Sequence, residues 1–593
     1  MSGTFRRSHV LSVLLPASLL LRYAVSLHGY SGEGNAEDRR REDGTPMFGD
    51  YEAQRHWMEL TLHLPPADWY RETADNDLLY WGLDYPPLTA WHSKVCGRIL
   101  QAVEPASVAL RSSRGYESVL SRLVMRLMVM ASDLLFFYTG VLAAAEALDP
   151  LPRIELLALG GGSDSIWDHA RLRVVVMAVM SPALVIIDHG HFQFNCVCLG
   201  LAAWAVAMLA RGHANISQGD RRGEVGGSRL AWSDLTGSAI FVMAMCFKQI
   251  ALYYAPAFFF YLLGRCLQGR GILRRAKDVG WLALVVIGSF TLCLYPWVMS
   301  VSGLFQVVHR VFPIGRGLFE DKVANFWCAT APVLRIRQWL RGDVLVFVSL
   351  GATVCMLLPS GIDVMRRPSP RRFLYALLNS SLAFFLFAYQ VHEKSILFAL
   401  LPLSLLGSHE RGLAEVAVLL NQVGLSSMYP LLRRDRLVVP YILMSTLITL
   451  LPSLLKVLSC PSGAPWPASE LGGFVSGGAS CWHRWRGGLL QGLFLGGALG
   501  LHLAEVWIPP PAKYPDIHVL LLMVFSACWL LALFVAANLL QIFRCDDAEG
   551  ADEARRTGDG SGGAGSEGEA AVGARGNGVC SRTTVTRSKA KSS

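Results

Sequence analysis

The stretch VLLLMVFSACWLLALFVAANLLQIF, Val519–Phe543, carries no acidic or basic side chain and is long enough to cross the hydrocarbon of a bilayer as a helix. Its reading decides the fold class, because a soluble core has no use for so long an uncharged apolar run. The rest of the chain agrees. Of 593 residues, 52% are hydrophobic and 17% charged, too apolar and too long for one soluble core. Comparable segments centre in residues 9–27, 122–145, 173–188, 195–210, 233–248, 250–264, 279–299, 344–361, 373–390, 395–407, 412–430, 437–458 and 487–507, and with 517–543 they bring the candidate spans to about fourteen. The expectation is an all-α polytopic membrane protein: a membrane domain over 1–543, with a large loop at 28–120, followed by a disordered tail over 544–593.

Net charge is +9, but the basic residues form short clusters between apolar segments, which argues against nucleic-acid binding. Arg6/Arg7, Arg270/Arg274/Arg275/Lys277 and Arg366/Arg367/Arg371/Arg372 fall on one side of the count, and an excess of Lys and Arg marks the cytoplasmic side. Both termini are then cytoplasmic. Arg433, Arg434 and Arg436 oppose the rule, since the count puts them on the far side. The first segment has features of a signal peptide, including AVS at Ala24–Ser26, yet Arg22 interrupts the end of the run and favours a retained anchor. Around Pro87–Leu100 the loop shows helical apolar spacing and is expected to lie on the membrane face. From Asp546 onward Gly, Ser and charge dominate, with too little apolar surface to order the chain; it ends KAKSS, resembling a di-lysine retrieval signal.

Thirteen cysteines are scattered without a CxxC pair or Cys/His metal spacing, so packed free thiols are expected, with only Cys96 and Cys328 suited to a bridge. Two sequons, at Asn215 and Asn379, fall in a cytoplasmic loop and inside a span, where no glycan is expected.

The polar residues gather in five clusters at segment ends on the non-cytoplasmic side: GDYEAQRHW (Gly49–Trp57), WGLDYPPLTAWHS (Trp81–Ser93), DHGHFQFN (Asp188–Asn195), RVFPIGRGLFEDKVANFW (Arg310–Trp327) and QVHEKS (Gln390–Ser395). Any one of them has an ordinary reading, such as an aromatic belt, a Pro-Pro helix stop or a capping histidine. Five on one face point to a site, because ionisable groups at membrane depth are costly. Carboxylates serve as general bases, His, Lys and Arg hold phosphate, and Trp and Tyr faces suit a sugar ring. No Gly-rich phosphate loop, HExxH helix or GxSxG elbow is present. The pair Glu320/Asp321 lacks a converging third ligand, so neither metal nor cofactor is expected.

At these clusters, and at SRGYES (Ser113–Ser118), CFKQIALYYAPAFF (Cys246–Phe259) and PPAKYPD (Pro510–Asp516), the chain resembles the eukaryotic endoplasmic-reticulum glucosyltransferases that use dolichyl-phosphate glucose. The matches keep their order from about residue 28 to 543. The resemblance implies a GT-C glycosyltransferase fold whose first lumenal loop carries the catalytic acid. It implies a dolichyl-phosphate-glucose donor, a dolichyl-pyrophosphate-linked oligosaccharide acceptor, membrane lipid as surroundings and a multi-pass endoplasmic-reticulum location. Asp50 is then the candidate base and Asp84 a second active-site acid. His392, Lys394, Arg310 and Arg316 are candidates for the donor phosphate, His191 and Gln193 for sugar or pyrophosphate, and Trp81 and Tyr85 for the substrate. Glu52, Arg55 and His56 are neighbours in the site or partners that hold the loop. Agreement around DYPPLTA and HGHFQ favours addition of the first glucose over the second. A transporter or flippase is disfavoured, because no internal repeat of broken helices is found.

Overall fold

The structure, a computed structural model, describes residues 2–33, 48–148, 170–221, 228–269, 271–312, 322–334, 341–407, 411–459 and 479–558. The chain divides into two units, Met1–Cys545 and Asp546–Ser593. In the second only helix as far as Gly558 is described, so the tail expected to be disordered from residue 544 is helical over its first fifteen residues, and the rest of it, with its lysine pair, lies outside the described residues.

The described residues contain helices and no strand. In lipid every backbone N–H and C=O must find its partner inside its own segment, and the helix does this without neighbours. In chain order the helices are α1 (Ser2–Ser26), α2 (Asp50–His63), α3 (Pro87–Val103), α4 (Val119–Leu148), α5 (Arg171–Phe192), α6 (Asn195–Arg221), α7 (Trp232–Phe247), α8 (Gln249–Leu267), α9 (Ile272–Cys293) and α10 (Val301–Val311). They continue with α11 (Phe326–Leu334), α12 (Gly342–Arg366), α13 (Pro370–Phe387), α14 (Leu397–Leu406), α15 (Arg411–Ser427), α16 (Tyr429–Arg434), α17 (Val438–Ser459), α18 (Ala479–Trp507) and α19 (Ile517–Gly558). Every apolar segment expected to span falls on one of these. Eight are long and apolar enough to cross a membrane: α4, α5, α6, α8, α9, α12 and the apolar parts of α18 and α19. Shorter apolar helices lie in α1, α7, α15 and α17.

Burial sorts the bundle. The apolar stretch of α5 is wholly buried, whereas α9 and α18 bury only 11% of theirs and present the rest outward. The loop between α1 and α4 folds as two packed helices. Pro87 opens α3 at a position where its missing N–H costs nothing, and Ala90, Ser93, Cys96, Gly97 and Leu100 make its buried face. Gly97 is required there, since a Cβ would lie 2.8 Å from the Met58 carbonyl oxygen on α2. Cys96 is a free, buried thiol beside His92 on its own helix, and Cys328 is free as well, so the one pair suited to a bridge does not form it and both are free thiols, as expected.

Ionisable groups inside the bundle are paired, as burial demands. Arg22 Nε donates to Asp133 Oδ2 at 2.8 Å, and His189 Nε2 meets the same oxygen at 2.6 Å. The arginine that interrupts the first apolar run thus ties α1 to α4 and α5. Elsewhere Arg372 Nη1 reaches both oxygens of Asp363, while Gln541 accepts from Ser360 and Asn379 and donates to Asp363, joining α12, α13 and α19. Asn379 is 1% exposed and engaged by Gln541, so its sequon is closed to a glycan.

Breaking a buried ion pair from one side is far costlier than replacing both partners. Arg22→Met is therefore expected to destabilise the detergent-purified protein by about 3–5 kcal/mol, read as a lowered melting temperature, with Arg22→Met/Asp133→Leu regaining part of the loss. A double variant melting below the single one would contradict this account.

Candidate active site

Asp50 is the first residue of α2, where the unpaired N–H groups of the helix end favour an anion. The turn after α1 places it. Ser31 Oγ accepts the Asp50 N–H at 3.1 Å, and the Ser31 N–H donates to the His191 carbonyl at 3.2 Å. Gly49 must be glycine for this approach, because a Cβ would stand 2.4 Å from Ser31.

Three side chains from two distant stretches meet one oxygen of that carboxylate. His191 Nε2 lies 2.9 Å and Lys394 Nζ 2.5 Å from Asp50 Oδ2, and Gln193 Nε2 donates to the same atom. Lys394 Nζ and His191 Nε2 are 3.1 Å apart. The Asp50 side chain remains 26% exposed. Burial alone would raise its pKa, but the charges of Lys394 and then His191 outweigh that and hold the carboxyl well below the usual range.

Residues 191 and 193 reach one atom because the helix is broken between them. The end of α5, Ile186–Phe192, winds as a π-helix, a rare form that frequents functional sites. Phe192 then adopts φ +84°, a left-handed backbone that is strained for a bulky residue and persists only where surroundings impose it. Those surroundings are a relay of side chains. Lys248 Nζ donates to Gln193 Oε1 at 2.9 Å and Asn195 Oδ1 at 2.6 Å, and Asn195 Nδ2 donates to Asp188 Oδ1 at 2.7 Å. The Gln193 amide is thereby oriented with its nitrogen toward Asp50. On the far side of the ring, His191 Nδ1 meets Asp435 Oδ2.

Lys248 and Asp435 were not singled out by sequence reasoning. A signal existed for Lys248, a buried lysine between the apolar α7 and α8. For Asp435 there was only the basic run Arg433–Arg436 on the side where it should not be.

The second acid stands on a braced turn. Arg310 Nη2 and Nε donate to the Gly82 and Leu83 carbonyls at 2.9 and 3.3 Å, and Gln249 Nε2 donates to the Asp84 carbonyl at 3.2 Å. Arg310, expected at a phosphate, is engaged with the backbone just before Asp84. Trp81 sits at φ +50° and its carbonyl accepts Trp57 Nε1–H at 2.9 Å. Tyr85 packs on Trp57 at 4.9 Å and under Lys248 Nζ at 4.8 Å, bringing the Asp84 turn to the same relay. His392 is half-buried and pairs with Glu393 at 2.9 Å. Arg316, Glu320 and Asp321 lie outside the described residues. Among the described residues no group of three or more His, Cys, Asp or Glu could hold a metal ion.

Glu52, Arg55 and His56 hold the loop. Arg55 is fully buried and donates to Glu52 at 2.7 Å, Glu59 at 2.8 Å, the Ser107 carbonyl at 2.9 Å and Ser113 Oγ at 2.6 Å. Tyr80 donates to Glu52 at 2.8 Å and His56 Nδ1 meets Glu59 at 3.2 Å. This cluster fastens α2 to residues 107–113, so of the acids in GDYEAQRHW only Asp50 is directed at the site.

Residues 18–537 match the model of the ALG6, ALG8 glycosyltransferase family. The chain is 36% identical to the mouse protein named dolichyl pyrophosphate Man9GlcNAc2 alpha-1,3-glucosyltransferase, over 87% of this chain and 93% of that one. It is 34% identical to the Saccharomyces cerevisiae protein of the same name, over 87% and 90%, and 36% identical to a probable enzyme of that name from Arabidopsis thaliana, over 88% of each. Among solved structures, ArnT from Cupriavidus metallidurans bound to undecaprenyl phosphate matches at 14% identity and a TM-score of 0.37, over 93% of this chain and 81% of that one.

Glu59 supplies a pH test of the loop cluster. Burial raises its pKa, but the hydrogen bond from His56 and the charge of Arg55 hold it at about 2, against an ordinary 4.5. A depressed carboxyl contributes stability that is complete above its unfolded pKa and is lost as pH falls through the folded one. Between about pH 4.5 and 2 the melting temperature of wild type is expected to fall more steeply than that of Glu59→Gln, which starts lower at neutral pH. Parallel curves would remove Glu59 from this role.

Proposed function

The chain belongs to the ALG6, ALG8 glycosyltransferase family, and from that premise we propose that it transfers glucose from dolichyl-phosphate β-glucose to the high-mannose oligosaccharide carried on dolichyl pyrophosphate. The linkage formed is the first α-1,3-glucose. The reading places the protein in the endoplasmic-reticulum membrane, with Asp50 toward the lumen and both termini in the cytoplasm. The observation that carries it is one carboxylate with a lysine and a histidine closed on a single oxygen, at the end of a bundle of apolar helices. A donor that is itself a lipid phosphate needs cations and a base at the bilayer edge and no nucleotide-binding loop.

A β-linked donor and an α-linked product require one inversion. The mannose 3-hydroxyl attacks the anomeric carbon, the new C–O bond forms as the bond to the phosphate oxygen breaks, and the electron pair leaves with dolichyl phosphate. The hydroxyl proton goes to Asp50. Its Oδ2 is held by His191, Gln193 and Lys394, which aims the other oxygen at the acceptor. Phosphate leaves as a stable anion, so what the reaction needs is positive charge at the departing oxygens. Lys394, with His392 and Arg316, supplies it. Asp84 orients the acceptor and Trp81 offers a ring face to the sugar, while Tyr85, packed on Trp57 and under Lys248, supports the turn. Arg310 contributes by bracing the Asp84 turn.

General-base catalysis is worth about 10²- to 10⁴-fold. Asp50→Asn in purified enzyme is expected to lose that much turnover, with donor and unglucosylated acceptor lipids supplied and the glucosylated glycan measured. Near-native turnover would exclude Asp50 as the base. The same assay with singly glucosylated acceptor is expected to give no product; product there alone would assign the second glucose instead. A chelator is expected to leave the rate unchanged, and loss restored by Mg²⁺ or Mn²⁺ would require a metal.

A further inference from the structure

His191 lies between two carboxylates. Its Nε2 is 2.9 Å from Asp50 Oδ2, and its Nδ1 meets Asp435 Oδ2, with the ring 1% exposed. Asp435 is itself buried, with 3% of its side chain exposed. A neutral imidazole carries one N–H and can donate to one partner, whereas the imidazolium donates from both nitrogens. Nε2 also faces Lys394 Nζ at 3.1 Å, so the ring stands between two carboxylates and one ammonium, and the surplus of negative charge favours its charged form.

We propose that Asp435 is a positioning residue for glucosyl transfer, which fixes the ring of His191 and keeps it as the imidazolium that grips Asp50 Oδ2. The inference rests on the reading of Asp50 as the base. It explains features that the transfer reaction by itself does not call for. Asp435 sits in LRRDRL (Leu432–Leu437), the basic run that opposes the positive-inside pattern. The turn that presents it is tightly built: the Asp435 N–H donates to the Leu431 carbonyl at 3.1 Å, Arg436 adopts φ +60°, and the Leu437 N–H reaches back to the Leu432 carbonyl at 2.8 Å. Of the flanking arginines, Arg433 pairs with Glu505 on α18 and Arg434 with Asp435 at 3.8 Å. A buried aspartate required at His191 gives the run its reason for lying at this end of the bundle.

The charged groups that face His191 are Asp50 from α2, Asp435 from the α16–α17 turn and Lys394 from the segment before α14, with Nζ at 3.1 Å. Lys394 opposes a second cation, so the two carboxylates decide the charge of the ring. Removing one of them disfavours the imidazolium, which then deprotonates at lower pH.

The test is Asp435→Asn, whose amide oxygen still accepts from Nδ1 but carries no charge, assayed as the full-length enzyme in detergent with both lipid substrates. The alkaline limb of the kcat profile is expected to move to lower pH by about one to two units, which lowers kcat about ten- to hundredfold on that limb, while KM for either lipid changes little. In an His191→Asn background the same substitution is expected to change nothing, because its effect passes through the ring. The proposal is overturned by an unmoved profile, by a loss of equal size in the His191→Asn background, or by a fall in KM affinity without a change in kcat. Failure of Asp435→Asn to fold, judged by its melting temperature, would likewise assign the charge to stability and overturn it. If wild type transfers no glucose to any acceptor, the reading of the function fails; if wild type is active and Asp435→Asn matches it, only this inference does.

Discussion

A carboxylate at the edge of a bilayer keeps its charge only if cations are held against it, and much of this structure follows from meeting that condition at Asp50. Charge taken out of water is expensive unless it is paired and its lone pairs are filled. Here one oxygen takes the whole load, from Lys394, His191 and Gln193, which leaves the other for chemistry. Each donor needs its own support. Gln193 is turned by Lys248, Lys248 is held by Asn195, Asn195 by Asp188, and His191 is backed by Asp435. The network begins at one acid and draws on the end of α5, the start of α6, the α7–α8 junction, the segment before α14 and the α16–α17 turn.

Those obligations explain where helical regularity is given up. A regular α-helix could not aim residues 191 and 193 at the same atom; the π-helical end of α5 and the left-handed Phe192 do. In the loop before α3, a left-handed backbone at Trp81 likewise sets its carbonyl on Trp57 just before the braced Asp84 turn. Strain of this kind survives because the neighbours over-determine it, and it lies next to the acids that carry the proposed reaction. Away from the site the bundle is held by ordinary means, with apolar faces packed around α5 and a few buried ion pairs such as Arg22 with Asp133.

Much of this was legible in the sequence. Apolar runs of spanning length marked the helices, and each falls on one. Three of the polar clusters meet in the structure, through Asp50, His191, Gln193 and Lys394. What failed was the assignment of tasks inside a cluster. Arg310 looked like a phosphate ligand and is bound to the Gly82 and Leu83 carbonyls. Glu52, Arg55 and His56 were left open between site and scaffold, and they fasten the loop to residues 107–113. Side of the membrane can be counted along a chain; direction of a side chain cannot.

The sequence by itself determined that this is a helical membrane protein with clusters of polar residues at the ends of its apolar runs. Hydrophobic length and residue type are properties of consecutive residues, and the cost of leaving backbone or charge unsatisfied in lipid acts on them before any packing is known. Only the tertiary structure decided which of the many acids and bases meet. Asp50 and Lys394 are 344 residues apart, and His191 and Asp435 are 244 apart. A hydrogen bond depends on position to a few tenths of an ångström, and between residues so far apart that position is set by how the helices pack and by the turns that join them.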